Sequence, residues 1–563
     1  MHRCRLLLLA LCTPAAAAAQ GELPRTHRPA PTVPAITPGD LMTRLYVLAD
    51  DSMQGREAGT PGNAKATAYI AAEIKRAGLL PGGDDGTYFQ TIPLKTRTFD
   101  TTSTFTVAGA SLTAFTDYLA LGPRPLDSQS LAIVFGGVVG DSAGLIAPEQ
   151  ASGKLVVLRV HGGGLGLRPL RAAPGVPGAA AVALVALDSL PAQALAFLRR
   201  PRTVLDDNPA GPAAQPPVFL ISGATAAKMF TTPLEQVIPG AAGTTAAVAV
   251  RFDIVPIADP ARNVVGIVPG SDPQLGGEYV AIGAHNDHIG FSGRAVDHDS
   301  IHIWNHVVRP EGADDAAKQA TPEQQARVDS LLARFRAGHP GGSRADSIAN
   351  GADDDGSGSV AALEIAERIA SLKRKPKRSI LFVWHTGEEK GLLGSRYFTD
   401  HPTVPRDSIV AQLNMDMVGR GAASDETGRT KDGAALHGGP RYLQLVGSRR
   451  LSTELGDLVE QVNRAGRHGL VFDYSIDADG HPANIYCRSD HYEYARYGIP
   501  ITFFTTGLHS DYHQVTDEPE YIDYEHMARV ASLVEDVAVR VADLDHRVVV
   551  DHPKPDRNAP CRQ

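Results

Sequence analysis

Cysteine is scarce in this sequence, four in 563 residues, and no Cys-x-x-Cys pair occurs, so a cysteine-built zinc module is excluded. Positive charge is also short. Lys and Arg total 54 against 63 Asp and Glu, a net charge of −9, and that balance argues against a nucleic-acid partner. A membrane-length apolar run is missing too. The stretch Leu6–Leu11 is followed at once by Thr13-Pro14, well short of the roughly 20 residues that a span requires. No transmembrane anchor is expected. With Arg3 and Arg5 ahead of it and the small residues Ala15 to Ala19 behind, the start reads as a secretory signal peptide over residues 1–19, removed near Ala19. A lipoprotein signal fits less well, because Leu11 rather than a small residue precedes Cys12. The expected location is therefore exported, periplasmic or extracellular. Cleavage removes Arg3 and Arg5 and no acid, taking the charge from −9 to −11. It also removes Cys4 and Cys12, leaving Cys487 and Cys561, which an oxidising compartment would allow to pair if the fold brings them together.

What is present is ordinary globular material, 43% hydrophobic and 21% charged, in a chain long enough for several domains. Residues 20–38 are rich in Pro, Thr and Ala and read as an extended, weakly structured lead-in. Leu41, Leu45 and Leu48 set a helical period over 40–50, and Thr60-Pro61 and Gly78 bracket a second helix over about 63–78. Residues 39–100 thus read as the first part of a main domain. Between 101 and 255 short β-like runs (131–135, 155–160, 181–187, 218–221) alternate with loops rich in Gly, Pro and Ala. No cluster of His, Asp, Glu or Cys occurs there, so this segment reads as a separate β-rich domain that covers or positions something. Gly162-Gly163-Gly164 lacks the Gly-Lys-Ser/Thr of a phosphate loop and reads as a plain loop.

The main domain resumes over 256–548. Strands are expected over 263–268, 279–284, 379–383, 409–417 and 498–505, with helices over about 360–372 and 524–544 and a tail over 549–563. From 291 to 349 lies an irregular polar insertion with one amphipathic helix (about 322–337) and the histidines His298, His302 and His306, a candidate lid or specificity loop.

Chemistry collects where these elements end. The apolar run Ser379–Val383 leads through Trp384-His385-Thr386-Gly387 into two adjacent acids, Glu388 and Glu389, at the carboxyl end of a predicted buried strand. His285, Asp354, Asp416 and His513 likewise stand at or just beyond strand ends or at a helix start. Together with Glu389 they form a mixed nitrogen and oxygen donor set suited to zinc, and to a pair of divalent ions sharing one carboxylate. Glu388, beside a ligand but free, is then placed as a base for a water held between the ions. Gly312-Ala313-Asp314-Asp315 repeats the opening of Gly351-Ala352-Asp353-Asp354 but lacks the Gly-Ser-Gly that follows Asp355, and is read as a decoy.

The segments Ala284–Gly290, Gly351–Gly358, Gly387–Ser395, Asn414–Gly419 and Asp511–His513, in that order, resemble the M28 family of co-catalytic zinc metallopeptidases. The resemblance covers 40–78 and 256–544, and 101–255 resembles a protease-associated (PA) domain. It implies an α/β fold, a mixed, mostly parallel sheet flanked by helices of the zinc exopeptidase type, with the PA-like domain inserted. It also implies two Zn2+ per chain: His285 and Asp416 on one, Glu389 and His513 on the other, Asp354 bridging. Glu388 matches the general base acting on a zinc-bridged water. Asp287 matches a carboxylate that orients the ligand histidine, and Tyr512 a tyrosine that helps polarise the substrate carbonyl. The implied activity is that of an exopeptidase on peptide or protein substrates, foremost an aminopeptidase. A carboxypeptidase or dipeptidase on the same centre would need a cation for the other peptide end, and Arg294, Arg420, Arg488 and Arg496 lie near the motifs in sequence. A single-zinc acyl-transfer cyclase and a non-catalytic receptor are further alternatives, the first countered by five ligands and the second by a complete set of ligands and base. The stretch Ser489-Asp490-His491 is assigned only to shaping the pocket.

Overall fold

The structure is a computed structural model that describes residues 23–121, 124–139, 145–160, 176–206, 216–316, 318–340, 342–557 and 559–563. The signal peptide and Gly162-Gly163-Gly164 lie outside the described residues. A nine-stranded mixed sheet organises the chain around two flanking cores. Its strands are β1 (Leu80–Pro81), β2 (Phe89–Thr91), β3 (Arg262–Val268), β4 (Tyr279–His285), β5 (Ser379–His385), β6 (Ile409–Met415), β7 (Tyr442–Val446), β8 (Val471–Asp473) and β9 (Ile501–Thr505). The order is β1-β3-β5-β4-β6-β9-β7-β8, with β2 also on β3. The four central strands β5, β4, β6 and β9 run parallel, while β3 and β7 join them antiparallel.

The central strands are apolar almost end to end because both faces are covered. Along β5, Ile380, Phe382 and Trp384 enter one core and Leu381 and Val383 the other. The first core is completed by α1 (Pro38–Leu48), α2 (Pro61–Arg76), α3 (Gly358–Ser371) and the long carboxyl-terminal helix Tyr524–Ala542. The second is closed by Phe398, Tyr494 and Tyr492 from shorter helices.

The Pro-rich lead-in has no regular secondary structure from 23 to 37 apart from bends, yet it is tied down. Thr32 donates to Glu367 at 2.9 Å, the Tyr46 hydroxyl bonds the Pro24 carbonyl, and Leu23 and Ile36 pack on the first core. Beneath it the Arg44 guanidinium, 1% exposed, reaches three carboxylates, Glu364, Glu367 and Glu73, the last at 2.7 Å. A buried guanidinium and its acids thus give the lead-in hydrogen-bond partners although it forms no regular element.

Residues 94–256 contain separate sheets. In the larger one the parallel strands Leu126–Val139, Leu155–Val160, Ala181–Val185 and Val218–Ile221 lie side by side over a core that includes Phe105, Tyr118, Phe135 and Phe219. Leu94–Phe99 pairs with Arg202–Leu205 and Phe252–Pro256 in a three-stranded sheet of its own.

The 291–349 insertion is more regular than its sequence suggested. Gly290–Asp297 and Ala345–Ala349 form a two-stranded ribbon around two helices, His298–Val308 and Pro322–Gly338. The first helix escapes a periodicity reading because its residues are β-branched or polar (His298-Asp-Ser-Ile-His-Ile-Trp-Asn-His-Val-Val308), which lowers intrinsic helix propensity. Cys487 and Cys561 form a disulfide, and Gln563 then bonds the carbonyls of Ile476 and Ala478 at 2.6 and 3.2 Å.

Removing one partner from a buried ion cluster leaves uncompensated charge. Arg44→Met is therefore expected to lower the unfolding free energy by about 3–5 kcal/mol, read from the midpoint and slope of denaturant unfolding.

Candidate metal centre

The four parallel strands deliver their carboxyl ends to one place. β4 ends in His285, β5 runs into Glu388 and Glu389, β6 into Asp416, and the loop after β9 carries His513. Asp354 arrives from the turn before α3. His285 Nε2 lies 3.1 Å from Asp354 Oδ1 and 3.6 Å from Asp416 Oδ1. On the other side of Asp354, His513 Nε2 lies 3.0 Å from Asp354 Oδ2 and 3.0 Å from Glu389 Oε2. Two groups able to hold a metal result, sharing Asp354: His285, Asp354 and Asp416, and His288, Asp354, Glu389 and His513. The sequence reading had all of these except His288.

The fit to cations is tested by the atoms left without partners. His285 Nε2, Asp354 Oδ2, Glu389 Oε1 and both ring nitrogens of His288 are buried and make no hydrogen bond. Such atoms cost free energy unless something else satisfies them, and His285, Asp354, Glu389 and His288 each offer a ligand atom to one of the two groups. A third grouping, His298, Asp346 and Glu518, differs: the Arg344 guanidinium lies against the His298 ring and bonds Glu520 at 2.9 Å, so the cationic place is taken.

The three consecutive aspartates divide their tasks. Asp354 faces the ligand cluster. Asp355 accepts the backbone N–H of His285 (2.9 Å), Gly358 (2.9 Å) and Met417 (3.2 Å), joining two strand ends to the start of α3. Asp353 accepts the Gly419 N–H at 2.7 Å and faces His509 at 3.3 Å. Asp517 in turn accepts the N–H groups of Asp353 and Asp354. Met417 and His513 both hold left-handed backbone, φ 59° and 56°. Non-glycine residues pay for that conformation, and here it flanks ligand positions.

The adjacent glutamates sit in opposed environments. Burial, with Glu389, Asp416 and Asp490, pushes Glu388 well above the usual carboxylate range despite His285. Against the push of burial, His513 and His288 bring Glu389 down to about 2. Asp354 is likewise held well below its ordinary value by His285 and His513, against burial. Neighbouring carboxyls pushed apart in this way take different roles.

Asp287 departs from its expected contact. His285 Nδ1 is nearest the Asp287 backbone carbonyl, at 3.1 Å, and the Asp287 carboxylate is 3.8 Å away. That carboxylate instead accepts the N–H groups of Gly387 (2.7 Å) and Glu388 (3.1 Å), so it fixes the glutamate loop. Tyr512 stacks on His513 at 4.0 Å, and its hydroxyl, pushed up to about 12 by burial, accepts from Arg488 at 3.3 Å. Ser489 donates to Asp416 Oδ2 at 2.7 Å, Asp490 faces His385 at 3.3 Å, and the His491 ring stacks on Phe503. Nothing in the sequence marks Ser489 for this task, because only the fold brings it to Asp416.

The insertion is seated against this loop. His302 Nδ1 lies 2.8 Å from Asp511 Oδ1, its ring stacks on Tyr521, and the Ala313 N–H donates to the Tyr512 carbonyl at 3.0 Å. Asp314 of the repeated Gly-Ala-Asp-Asp motif pairs with Arg488 at 2.9 Å. The decoy is thus a brace for the Tyr512–His513 loop, and it is absent from the metal groups.

A carboxylate and imidazole cluster at the carboxyl edge of the parallel centre of a mixed sheet defines a class, the metal-dependent hydrolases of α/β architecture. The family model "Peptidase family M28" matches residues 326–538. Leupeptin-inactivating enzyme 1 of Streptomyces exfoliatus is 37% identical over 98 residues, 16% of this chain and 22% of that protein. Leucine aminopeptidase 1 of Aspergillus oryzae is 29% identical over 202 residues, 34% and 47% of the two chains. The chain thus spans less than half the length of these curated relatives. Among solved structures, an aminopeptidase from Aneurinibacillus sp. strain AM-1 aligns over 92% of this chain and 97% of its own, at 18% identity and a TM-score of 0.46.

Asp355 contributes to the frame and Asp354 to the ligand cluster. Asp355→Ala is expected to lower stability of the metal-free protein by about 2–3 kcal/mol. Asp354→Asn removes a carboxylate that His285 and His513 hold ionised, so it too should lower stability, without loosening the backbone frame. Thermal unfolding of the two apo variants side by side checks this.

Proposed function

We infer that this chain is an exported zinc aminopeptidase. The observation that carries the reading is the pair of ligand groups sharing Asp354, with buried ligand atoms that lack partners and with Glu388 beside them. His285 and Asp416 would hold one zinc, Glu389 and His513 a second, with Asp354 between them. Two zinc ions, when bound, supply Lewis-acid polarisation of the scissile carbonyl and lower the pKa of the attacking water. Glu388 takes the proton of that water and returns it to the leaving amine. Asp287 holds the Glu388 main chain in position, and Tyr512 offers a hydroxyl to the oxyanion.

Which peptide end enters follows from charge. The cavity is lined by Asp354, Glu388 and Asp416, and its one arginine, Arg488, is already paired with Asp314. Arg420 pairs with Asp511 at 2.8 Å and Arg496 with Asp400 at 2.5 Å, and Arg294 stands on an exposed strand. An acidic cavity without a spare cation suits a free α-ammonium and disfavours a terminal carboxylate. Met417, Ile476, Ile485, Phe503 and Leu508 line the same space, which suits an apolar amino-terminal side chain, in keeping with the leucine aminopeptidase names of the relatives. Residues 101–255 would serve as a PA-like accessory domain, and residues 1–19 as the export signal. No helix among the described residues is long and apolar enough to cross a membrane.

Glu388→Gln should keep bound zinc while losing about 10²–10⁴-fold in kcat, measured by metal analysis and steady-state kinetics on the same preparation. A chelator should abolish turnover and added zinc restore it. Leucyl reporter peptides should be cleaved, their N-acetylated forms should not, and amidating the carboxyl end should make little difference. Equal cleavage of acetylated peptides would overturn the aminopeptidase assignment.

A further inference from the structure

Three residues beyond His285, His288 has no place in the mechanism above. It is fully enclosed, 0% exposed, and neither ring nitrogen has a hydrogen-bond partner. A buried imidazole left in that state costs free energy unless another species meets its lone pair. Its Nδ1 lies 2.8 Å from Glu389 Oε1 and 3.7 Å from Asp354 Oδ2. The closer approach is short but lacks the alignment of a well-formed hydrogen bond, leaving Nδ1 and Oε1 without a well-aligned partner. A ring nitrogen and two carboxylate oxygens gathered this closely converge on a common position.

His513 closes that position from the other side, 3.0 Å from Asp354 Oδ2 and 3.0 Å from Glu389 Oε2, with its ring edge-on to His288 at 5.5 Å. Ligands of a tetrahedral zinc with bonds of 2.0–2.1 Å stand roughly 3.3 Å from one another. The separations of 2.8 to 3.7 Å among these four residues straddle that value. The His288 ring is also held in place. Its backbone N–H donates to the Arg56 carbonyl at 3.3 Å, and its ring packs on Gly351, where a Cβ would come within 2.5 Å of a ring carbon. Gly351 has φ 56°, so the position favours glycine twice over.

We propose that His288 is a fourth protein ligand of the ion held by Asp354, Glu389 and His513. The two metal positions are then unequal. One is closed by four side chains, as in structural zinc sites, and the other, formed by His285, Asp354 and Asp416, keeps an open position for water and substrate. The closed ion is the tighter one and holds Asp354 and Glu389 in place for the other. The inference rests on the two-zinc reading given above.

Calorimetric zinc titration of the metal-stripped protein tests it without reference to turnover. The wild type should show two separable steps. In His288→Ala, with folding checked by circular dichroism, the tighter step should weaken about 100-fold or more, while the weaker step stays in place. An unchanged tight step in the folded variant overturns the proposal and leaves the two-zinc reading intact. Fewer than two sites in the wild type overturns that reading too. If the variant does not fold, zinc-edge X-ray absorption of the wild type with both sites filled decides: three imidazoles shared between two ions support His288 as a ligand, and two imidazoles overturn it.

Discussion

Several carboxylates converge in the interior of this protein, and buried negative charge persists only where N–H groups or cations answer it. The carboxyl edge of the sheet is arranged around that requirement. Asp355, Asp353, Asp517 and Asp287 are answered by backbone N–H groups, and each of these contacts joins segments that would otherwise be independent. Asp354, Glu389 and Asp416 face imidazoles. The first set builds the frame, and the second is left for a metal. The metal centre can therefore be preorganised before an ion arrives, because the acids that shape it are not the acids that bind.

The same logic explains the braces at the rim. Arg56, fully buried, spends its guanidinium on the carbonyls of Asn286, Leu48, Asn350 and Gly351, fixing the two turns that carry His288 and Asp354. The insertion does comparable work on the far side, where Asp314 neutralises Arg488 and Ala313 holds the Tyr512 carbonyl. The disulfide ties Cys561 to the residue immediately before Arg488. The loop carrying Arg488 and Ser489 is thus anchored by a covalent link, an ion pair and a hydrogen bond to Asp416. Positioning to within a fraction of an ångström is what catalytic carboxylates and ligands need.

Much of this was legible in the residues because the chemistry is local. A fully apolar run such as Ser379–Val383, followed by Gly387-Glu388-Glu389, marks a buried strand and its loaded end whatever surrounds it. Helix and strand periods placed His285, Asp354, Glu389, Asp416 and His513 at the ends of elements, and those elements are there. What eluded the residues depends on contacts across the chain. His288 lies within Ala284–Gly290, and its His-x-x-His spacing from His285 is the only signal the residues carry. Spacing alone could not show that its ring turns toward Glu389, from a different strand.

Sequence by itself determined the donor types, their order and their attachment to strand ends, because hydrophobic periodicity and residue chemistry are properties of short segments. Tertiary structure alone decided that Asp353 and Asp355, on either side of the expected ligand Asp354, knit the frame, and that the repeated Gly-Ala-Asp-Asp motif braces a loop. It also decided that Cys487 meets Cys561 and that His288 stands among the ligands. Each of those outcomes is a distance between residues remote in sequence, and only packing the two cores onto the sheet sets such distances.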